Sequence, residues 1–294
     1  MRDVARTLKV FQQGFNYSQD GRGNRLVLHL QGCNMHCPWC SNPEGMPVRG
    51  ALMTEKEWLT ENCCPKGAVR NGSLDRSVCE DCADMPCTGF RQKGIRLSCR
   101  DYPVEELADR CTRSAPMFFD GGGVTLTGGE ISMQFDAVKE LLILLGERGI
   151  HRAIETNGSH PRLAELIPLV DQWIMDIKHY DDEIHRKWTG ISNRQVLENL
   201  ALVAAQHGDV LLRIPLIPGF NSAPEDAEGF AEVLEPHIRE KMIPVELLTY
   251  HEFGKIKWTQ CGRPYTMPPD KISPETVAHF EQELHRHGIT CIHT

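Results

Sequence analysis

The sequence lacks an apolar run long enough to cross a membrane, and its first residues, MRDVARTLKV, lack the apolar core of a signal peptide. It also lacks an excess of basic residues, because 32 Lys and Arg stand against 40 Asp and Glu, which gives a formal net charge of -8. A broad basic face for nucleic acid is therefore not expected. We find no internal repeat and no low-complexity segment. These absences predict a cytoplasmic protein with no nucleic-acid and no membrane partner.

Cysteine, by contrast, is abundant. The chain has 294 residues and 12 cysteines, and nine of the twelve lie between Cys33 and Cys99. Without secretion a disulfide framework is not expected, whereas clustered cysteines inside the cell usually bind metal. Hydrophobic residues make up 40% and charged residues 24%, the balance of a folded protein. The first third of the chain is therefore predicted to carry metal chemistry.

Beyond the cysteine-rich part, strands and helices alternate. Such alternation predicts an α/β fold with a parallel sheet and right-handed crossovers. About six βα units fit, so we expect an incomplete (β/α)6 TIM-like barrel rather than the closed eightfold barrel. Strands are predicted at Leu26–Leu30, Gly123–Thr127, His151–Thr156, Gln172–Ile177, Val210–Ile217 and Pro244–Thr249, and helices from Pro103 and at Asp136–Arg148, Pro161–Leu169, Asn193–Gln206, Ser222–Leu234 and Pro274–His287.

Three regions follow from this pattern. Residues 1–54 begin the barrel and contain the first cysteine loop, and residues 101–294 complete the barrel. Residues 55–100 have six cysteines, few aliphatic side chains and many turn residues, so metal would have to hold this insert together.

Six polar or glycine-rich motifs follow the predicted strands, and we call them the rim motifs, since the carboxyl ends of barrel strands share one face. They are the cysteine loop, TGGE, ETNG, DIK, RIP and YH.

The first cysteine loop, GCNMHCPWCSNPEG, spaces its cysteines as C-x3-C-x2-C and has no fourth cysteine nearby. Three thiolates, from Cys33, Cys37 and Cys40, can hold three irons of a [4Fe-4S] cube and leave the fourth iron open to a small molecule. Structural zinc is the alternative, but it would need a fourth ligand, and His29 and His36 are poorly spaced for that role.

This loop resembles the radical S-adenosylmethionine (SAM) signature, with Trp39 as the aromatic residue before the last cysteine. The longer run through Asn42-Pro43-Glu44 is similar to the glycyl-radical-enzyme activating enzymes of the pyruvate formate-lyase activating enzyme family. Further blocks resemble the family in the same order along nearly the whole chain, and the last is most similar to the 4-hydroxyphenylacetate decarboxylase activating type. These blocks are TLTGGE, DIKH, HRKWTG, LRIPLIPGFN and YHEFGKIKWTQCG.

The resemblance implies a reaction. A reduced cluster would cleave SAM, and the resulting 5′-deoxyadenosyl radical would take a hydrogen atom from a backbone glycine of a partner glycyl radical enzyme. Flavodoxin or ferredoxin would be the reductant, and we expect a monomer. A radical SAM enzyme for a small molecule or another peptide is the alternative function, and an electron-transfer or metal-binding module without catalysis is a third.

The resemblance also implies a SAM pocket. Trp39 and Ser41 would lie beside the cofactor, and the TGGE motif would meet its amino group. The DIK motif, Arg213 and His251 would complete the pocket. Each motif also has a structural interpretation: a glycine turn, a solvated ion pair, a loop histidine, or a structural partner for Arg213. The implied cofactor-binding residues are Trp39, Ser41, Gly128, Gly129, Glu130, Asp176, Ile177, Lys178, Arg213 and His251.

The insert resembles part of a ferredoxin. Cys64 precedes a proline, as the isolated last ligand of a ferredoxin run does, and Cys79, Cys82 and Cys87 are spaced C-x2-C-x4-C. We expect one auxiliary [4Fe-4S] cluster on these four cysteines. Cys63 in place of Cys64, Cys99 as a ligand, and zinc or no metal remain open alternatives. The other three cysteines, Cys111, Cys261 and Cys291, are expected to be ordinary buried thiols.

Overall fold

The computed structural model describes residues 6–88 and 94–294. Its strands are β1 (Thr7–Tyr17), β2 (Asn24–Leu30), β3 (Leu52–Thr54), β4 (Val69–Arg70), β5 (Ser73–Leu74), β6 (Ile95–Leu97), β7 (Arg100–Pro103), β8 (Gly123–Gly128), β9 (Arg152–Thr156), β10 (Gln172–Asp176), β11 (Val210–Leu216), β12 (Val245–Thr249) and β13 (Cys291–Ile292). Its α-helices are α1 (Ser77–Glu80), α2 (Val104–Ser114), α3 (Phe135–Glu147), α4 (Asp182–Thr189), α5 (Arg194–Gln206), α6 (Pro224–Ile238), α7 (Lys255–Gln260) and α8 (Pro274–Arg286).

One large sheet organises the molecule, in the order β13-β12-β11-β10-β9-β8-β2-β1-β7. Strands β2 and β8 to β12 run parallel, whereas β1 pairs antiparallel with both β2 and β7. Within the described ranges the edge strands β13 and β7 do not pair, so the barrel stays open. The expected α/β fold with an incomplete six-unit barrel is confirmed.

The core lies between the sheet and its helices. In β2, alternate residues Leu26, Leu28 and Leu30 belong to this core, while His29 faces the inside of the barrel. Helix α3 contributes Leu141 and Leu145 from one face, because residues four apart share a face of a helix. The polar side chains His29 and Thr127 of the parallel strands face the inside of the barrel.

The insert departs from the main sheet as two short antiparallel pairs. Strand β3 pairs with β6, and β4 pairs with β5. Cysteines take the place of aliphatic residues in its small apolar cluster, which contains Cys63, Cys64 and Cys87. Across the described part of the chain, no helix is long and apolar enough to span a bilayer.

Candidate active site

A cavity of about 300 Å³ opens at the carboxyl ends of the parallel strands. Residues of all six rim motifs line it, since parallel strands bring the loops after them to one face, although the RIP motif lies within β11 rather than after it and contributes only Pro215. The cysteine loop after β2 forms one wall, and the loops after β8, β9, β10 and β12 contribute the others. This volume is at the lower end of the range for small-molecule sites.

Cys33, Cys37 and Cys40 all line this cavity. The loop is held by its own backbone: Cys40 N donates to Cys37 O at 3.1 Å. Two sulfurs accept backbone bonds, from Met35 N to Cys33 Sγ at 3.4 Å and from Asn42 N to Cys40 Sγ at 3.3 Å. Burial raises the pKa of Cys33 and of Cys37 to about 12 and also raises that of Cys40. Without a cation these thiols stay protonated, and bound iron would supply the charge that a thiolate needs.

The three cysteine donors are of the type that a [4Fe-4S] cube requires. Within residues 6–88 and 94–294, no three His, Cys, Asp or Glu side chains are grouped so that they could hold one metal ion. A [4Fe-4S] cube takes one thiolate on each of three irons, so its ligands stand further apart. Backbone N–H groups directed at the sulfurs are also a usual feature of cluster sites. The donor set therefore fits the predicted cluster.

The TGGE motif packs directly on the cysteine loop. Gly129 N donates to Leu30 O at 2.9 Å, and Glu130 N donates to Gly32 O at 2.7 Å. A Cβ on Gly129 would lie 2.2 Å from Gly32 O, which is shorter than any allowed contact. Gly128 has φ +123° and lines the cavity with Gly129. The two glycines thus hold two loops together as well as lining the cavity.

Glu130 has a structural role. It is almost fully buried, and its carboxylate accepts hydrogen bonds from Ser132 N at 3.0 Å, Thr156 Oγ1 at 2.8 Å and Asn157 N at 2.8 Å. These contacts join the loop after β8 to the loop after β9. Contact between Glu130 and a cofactor amine stays a prediction.

The DIK motif places a partly buried ion pair at the cavity. Lys178 Nζ lies 2.9 Å from Asp176 Oδ2, and both residues line the cavity. Burial alone lowers the pKa of Lys178, but the negative charge of Asp176 and its hydrogen bond with Lys178 outweigh burial and raise that pKa above its usual value. Lys178 is therefore a permanent cation beside the cysteine loop. The side chain of Ile177 lies instead in the main core.

Arg213 lies deeper inside the barrel. Its guanidinium pairs with Glu155 Oε1 at 2.7 Å and with Glu246 Oε2 at 2.8 Å, and it also contacts Gln19 O. Burial, opposed by Arg213, raises the pKa of Glu155. This geometry corresponds to the structural interpretation of Arg213 as an ion-pair partner, one layer beneath the cavity.

Aromatic side chains close two sides of the cavity. The Trp39 ring packs on Phe220 with centroids 4.6 Å apart, and it is 8% exposed. His251 is exposed at the opening and stacks on Phe253 at 4.3 Å. Ser41, two residues after Trp39 in the cysteine loop, also lines the cavity.

Sequence reasoning missed several residues of the cavity wall. Asp20 precedes β2, and His29 and Thr127 face inward from β2 and β8. Glu155 and Tyr250 belong to rim motifs but were given no role in the pocket. The available signal was alternation along each strand, which selects one residue in two for the inside of the barrel.

The four predicted cluster ligands of the insert line one small cavity. Cys64, Cys79, Cys82 and Cys87 all contribute to its wall. Burial, followed by the influence of Cys64, raises the pKa of both Cys79 and Cys87. Cys63 does not line this cavity, and its sulfur lies 3.4 Å from Trp58 O. Cys99 is buried elsewhere, within reach of Gly50.

Known proteins that are similar to this chain identify its family. The sequence model of the radical SAM superfamily matches residues 27–232. The 4-hydroxyphenylacetate decarboxylase activating enzyme of Clostridioides difficile (strain CD196) is 32% identical over 292 residues, 92% of this chain and 91% of that protein. The (2S)-3-sulfopropanediol sulfolyase activating enzyme of Bilophila wadsworthia (strain 3_1_6) is 36% identical over 266 residues, 84% and 86% of the two chains.

A solved radical SAM methyltransferase from Sphaerobacter thermophilus shares the fold, with a TM-score of 0.57 at 15% identity over 99% of this chain and 74% of that one. The chain therefore belongs to the radical SAM superfamily. Within it, the chain is an enzyme of the activating-enzyme group, as the two full-length relatives show. The family expected from the motifs is confirmed.

Proposed function

We propose that this enzyme activates a partner glycyl radical enzyme by removing a hydrogen atom from one of its backbone glycines. The main support for this proposal is that one cavity is lined by Cys33, Cys37 and Cys40 together with residues of the other rim motifs. When bound, a [4Fe-4S] cluster supplies an electron and SAM supplies the group that abstracts hydrogen. The relatives named above are activating enzymes, which supports a protein substrate.

The chain's own residues would bind and orient these groups. The three cysteines would hold the cluster, and the side-chain-free backbone of Gly128 and Gly129 would allow close approach of the SAM amine. The fixed charges of Asp176 and Lys178 would orient the charged methionine end of SAM. Trp39, packed on Phe220, would exclude water from the cluster, and Ser41 and His251 would border the cofactor nearer the opening.

The size of the cavity favours a protein substrate over the alternative, a small molecule. About 300 Å³ leaves little enclosed space for a second small molecule once a cofactor is bound. Beside the opening, Phe253 is 80% exposed and Ile256 is 64% exposed. Exposed apolar side chains next to a site are typical of surfaces that bind proteins.

We further propose that the insert holds one auxiliary [4Fe-4S] cluster on Cys64, Cys79, Cys82 and Cys87. The shared small cavity of these four residues supports this set over one that includes Cys63 or Cys99. We also expect a cytoplasmic monomer that receives electrons from flavodoxin or ferredoxin.

The test is anaerobic reduction of the reconstituted enzyme with SAM and a candidate partner. Decarboxylases and sulfolyases of the kinds named for the relatives form the first panel. We expect 5′-deoxyadenosine from the enzyme and a glycyl-radical EPR doublet on the partner. Absence of 5′-deoxyadenosine would contradict catalysis altogether. Formation of 5′-deoxyadenosine without a doublet on any partner would favour the alternative substrate class.

A further inference from the structure

The short helix α7 contacts the catalytic cysteine loop through its third and fourth residues. Trp258 Nε1 donates to Cys40 O at 2.9 Å, and Lys257 Nζ lies 2.7 Å from Asn42 Oδ1 and 2.7 Å from Glu44 Oε1. Gly254, just before the helix, lies so close that a Cβ there would be 2.8 Å from Cys40 O. The position of α7 therefore determines the surroundings of Cys40.

The other end of α7 contacts the insert. Gln260 O accepts hydrogen bonds from Arg76 Nη2 at 3.0 Å and from Thr54 Oγ1 at 3.3 Å. The same guanidinium donates through Nη1 to Leu52 O at 2.7 Å. A Cβ on Gly262 would lie 2.1 Å from Arg76 Nε, so the loop after α7 closes over the guanidinium. Arg76 thus joins its own segment of the insert to β3 and to the end of α7. It lies three residues before Cys79, a predicted ligand of the insert cluster.

A helix of six residues has little stability of its own, so contacts at its two ends must hold it in place. Removing the contacts at the insert end should loosen the contacts at the cysteine loop. Because Asn42 N donates to Cys40 Sγ, a loosened loop would also change the hydrogen bonding of a cluster ligand. Hydrogen bonds to the cluster sulfurs are one of the factors that set the reduction potential of an iron–sulfur cluster.

We propose that Arg76 is a positioning residue that couples the insert to the catalytic cysteine loop through α7. The consequence for catalysis rests on the proposed function, whereas the coupling is a property of the fold. The insert would then govern the catalytic cluster mechanically as well as holding metal of its own.

The first test is hydrogen exchange on the reconstituted holoenzyme, with iron content matched between samples. Arg76→Met is compared with Arg70→Met, which removes an exposed arginine of the same insert. We expect the amides of Gly45, Met46 and Cys261 to exchange about fivefold faster in Arg76→Met alone. The amide of Ile174 in β10 should keep its protection, which separates local loosening from unfolding. Faster exchange confined to the insert would overturn the proposal.

A second pair of variants keeps the proposal testable if Arg76→Met does not fold. Gly262→Ala displaces the guanidinium from the opposite side, at a glycine with φ +69°. Gly149→Ala imposes the same backbone strain at φ +68°, where no atom lies within 4 Å of the new Cβ. We expect faster exchange at Gly45 and Met46 only in Gly262→Ala. Equal behaviour of the two glycine variants would contradict coupling through Arg76.

A spectroscopic readout connects the coupling to the cluster. The EPR spectrum of the reduced catalytic cluster, with and without SAM, should shift in Arg76→Met at full iron content. Arg76→Lys keeps the charge but loses the two-pronged geometry, so its spectrum should lie between those of wild type and Arg76→Met. An unchanged spectrum in both variants would overturn the proposed effect on the cluster. If wild type makes no 5′-deoxyadenosine, the proposed function fails while the exchange result still stands.

Discussion

At the scale of single residues, Gly129 shows how packing can determine a motif that resembles a cofactor site. The family resemblance assigns this glycine to close approach of a SAM amine. In the structure its missing side chain already makes room for two backbone carbonyls of the cysteine loop, Gly32 O and Gly45 O. The residue type is therefore required before any cofactor binds.

We predict that Gly129→Ala destabilises the protein by about 3 kcal/mol, the upper end of overpacking costs, because neither carbonyl can turn away as a side chain could. Denaturant unfolding and iron incorporation measure the effect. Gly14→Ala is the matched control, since no atom lies within 4 Å of its new Cβ. Equal stability of the two variants would contradict the packing explanation.

The surroundings of each cysteine likewise distinguish a predicted cluster ligand from an ordinary core thiol. We predict that Cys37→Ala removes about four irons per chain and abolishes 5′-deoxyadenosine formation, because one wall of the cavity loses a cluster ligand. Cys111→Ala, on the core-facing side of α2, should keep the full iron content. Iron analysis after anaerobic reconstitution decides the matter, and a Cys37→Ala enzyme that retained its iron would refute the assignment.

At the scale of elements, the sequence predicts the six parallel strands to within two residues at each end. Their apolar runs are buried on both faces and end in turn residues, so local pattern and tertiary environment agree. Strand β1 was missed, because its sequence TLKVFQQGFNY is only partly buried and alternates weakly. Helix α7 was missed as well, since contacts with Cys40 and Arg76 hold it rather than an apolar period.

The residues of the site also differ in how far the sequence predicts them. The rim motifs that follow strands were predictable, because loops that follow parallel strands meet at one face. The inner layer, with Asp20, His29 and Glu155, depends on which residues of each strand face inward and on a turn contributed by β1. Arg213 belongs to this layer, and only the three-dimensional arrangement shows its two glutamate partners.

For the insert, we predict that the double variant Cys79→Ala/Cys82→Ala loses about four of about eight irons and keeps those of the catalytic site. The reason is that both cysteines line the same small cavity as Cys64. Cys63→Ala is the control and should keep all iron, because the Cys63 sulfur contacts Trp58 O instead. Loss of iron in Cys63→Ala, or none in the double variant, would refute this ligand set.

At the scale of the whole molecule, buried and partly buried histidines make stability depend on pH. Burial lowers the pKa of five histidines below the usual 6.5, so the folded protein favours their neutral form: His29, His151, His160, His179 and His185. The unfolded chain takes up protons near pH 6.5 and the folded chain only at lower pH. Their contribution is therefore complete above about pH 6.5 and is lost as the pH falls below it.

We predict that urea unfolding between about pH 8 and about pH 5.5 shows this decline, with at most about 1.4 kcal/mol per pH unit for each histidine. His185 is 1% exposed, and its Nδ1 lies 2.8 Å from Ile191 O. His185→Gln should therefore reduce the slope, while His293→Gln, on the surface, should leave it unchanged. Identical slopes in the two variants would contradict the assignment to buried histidine.

The surface beside the cavity opening gives the last prediction, which concerns the partner. Phe253 stacks on His251, and Ile256 follows three residues later in α7; both side chains are exposed, so we expect them to meet a protein whose backbone enters the cavity. We predict that Phe253→Ser/Ile256→Ser raises the partner concentration needed for half-maximal activation by about tenfold, since two apolar anchors are lost.

Cleavage of SAM in the absence of the partner should stay at the wild-type rate in this double variant, because neither side chain lines the cavity. Phe15→Ser is the matched control: Phe15 is 46% exposed and pairs with Leu26 near the amino end of β2, away from the opening. Glycyl-radical EPR intensity, titrated against partner concentration, gives the comparison. If the control weakened activation as much as the double variant, exposed apolar area in general would explain the effect. A loss confined to the double variant would assign partner recognition to the same end of the barrel as the cysteine loop.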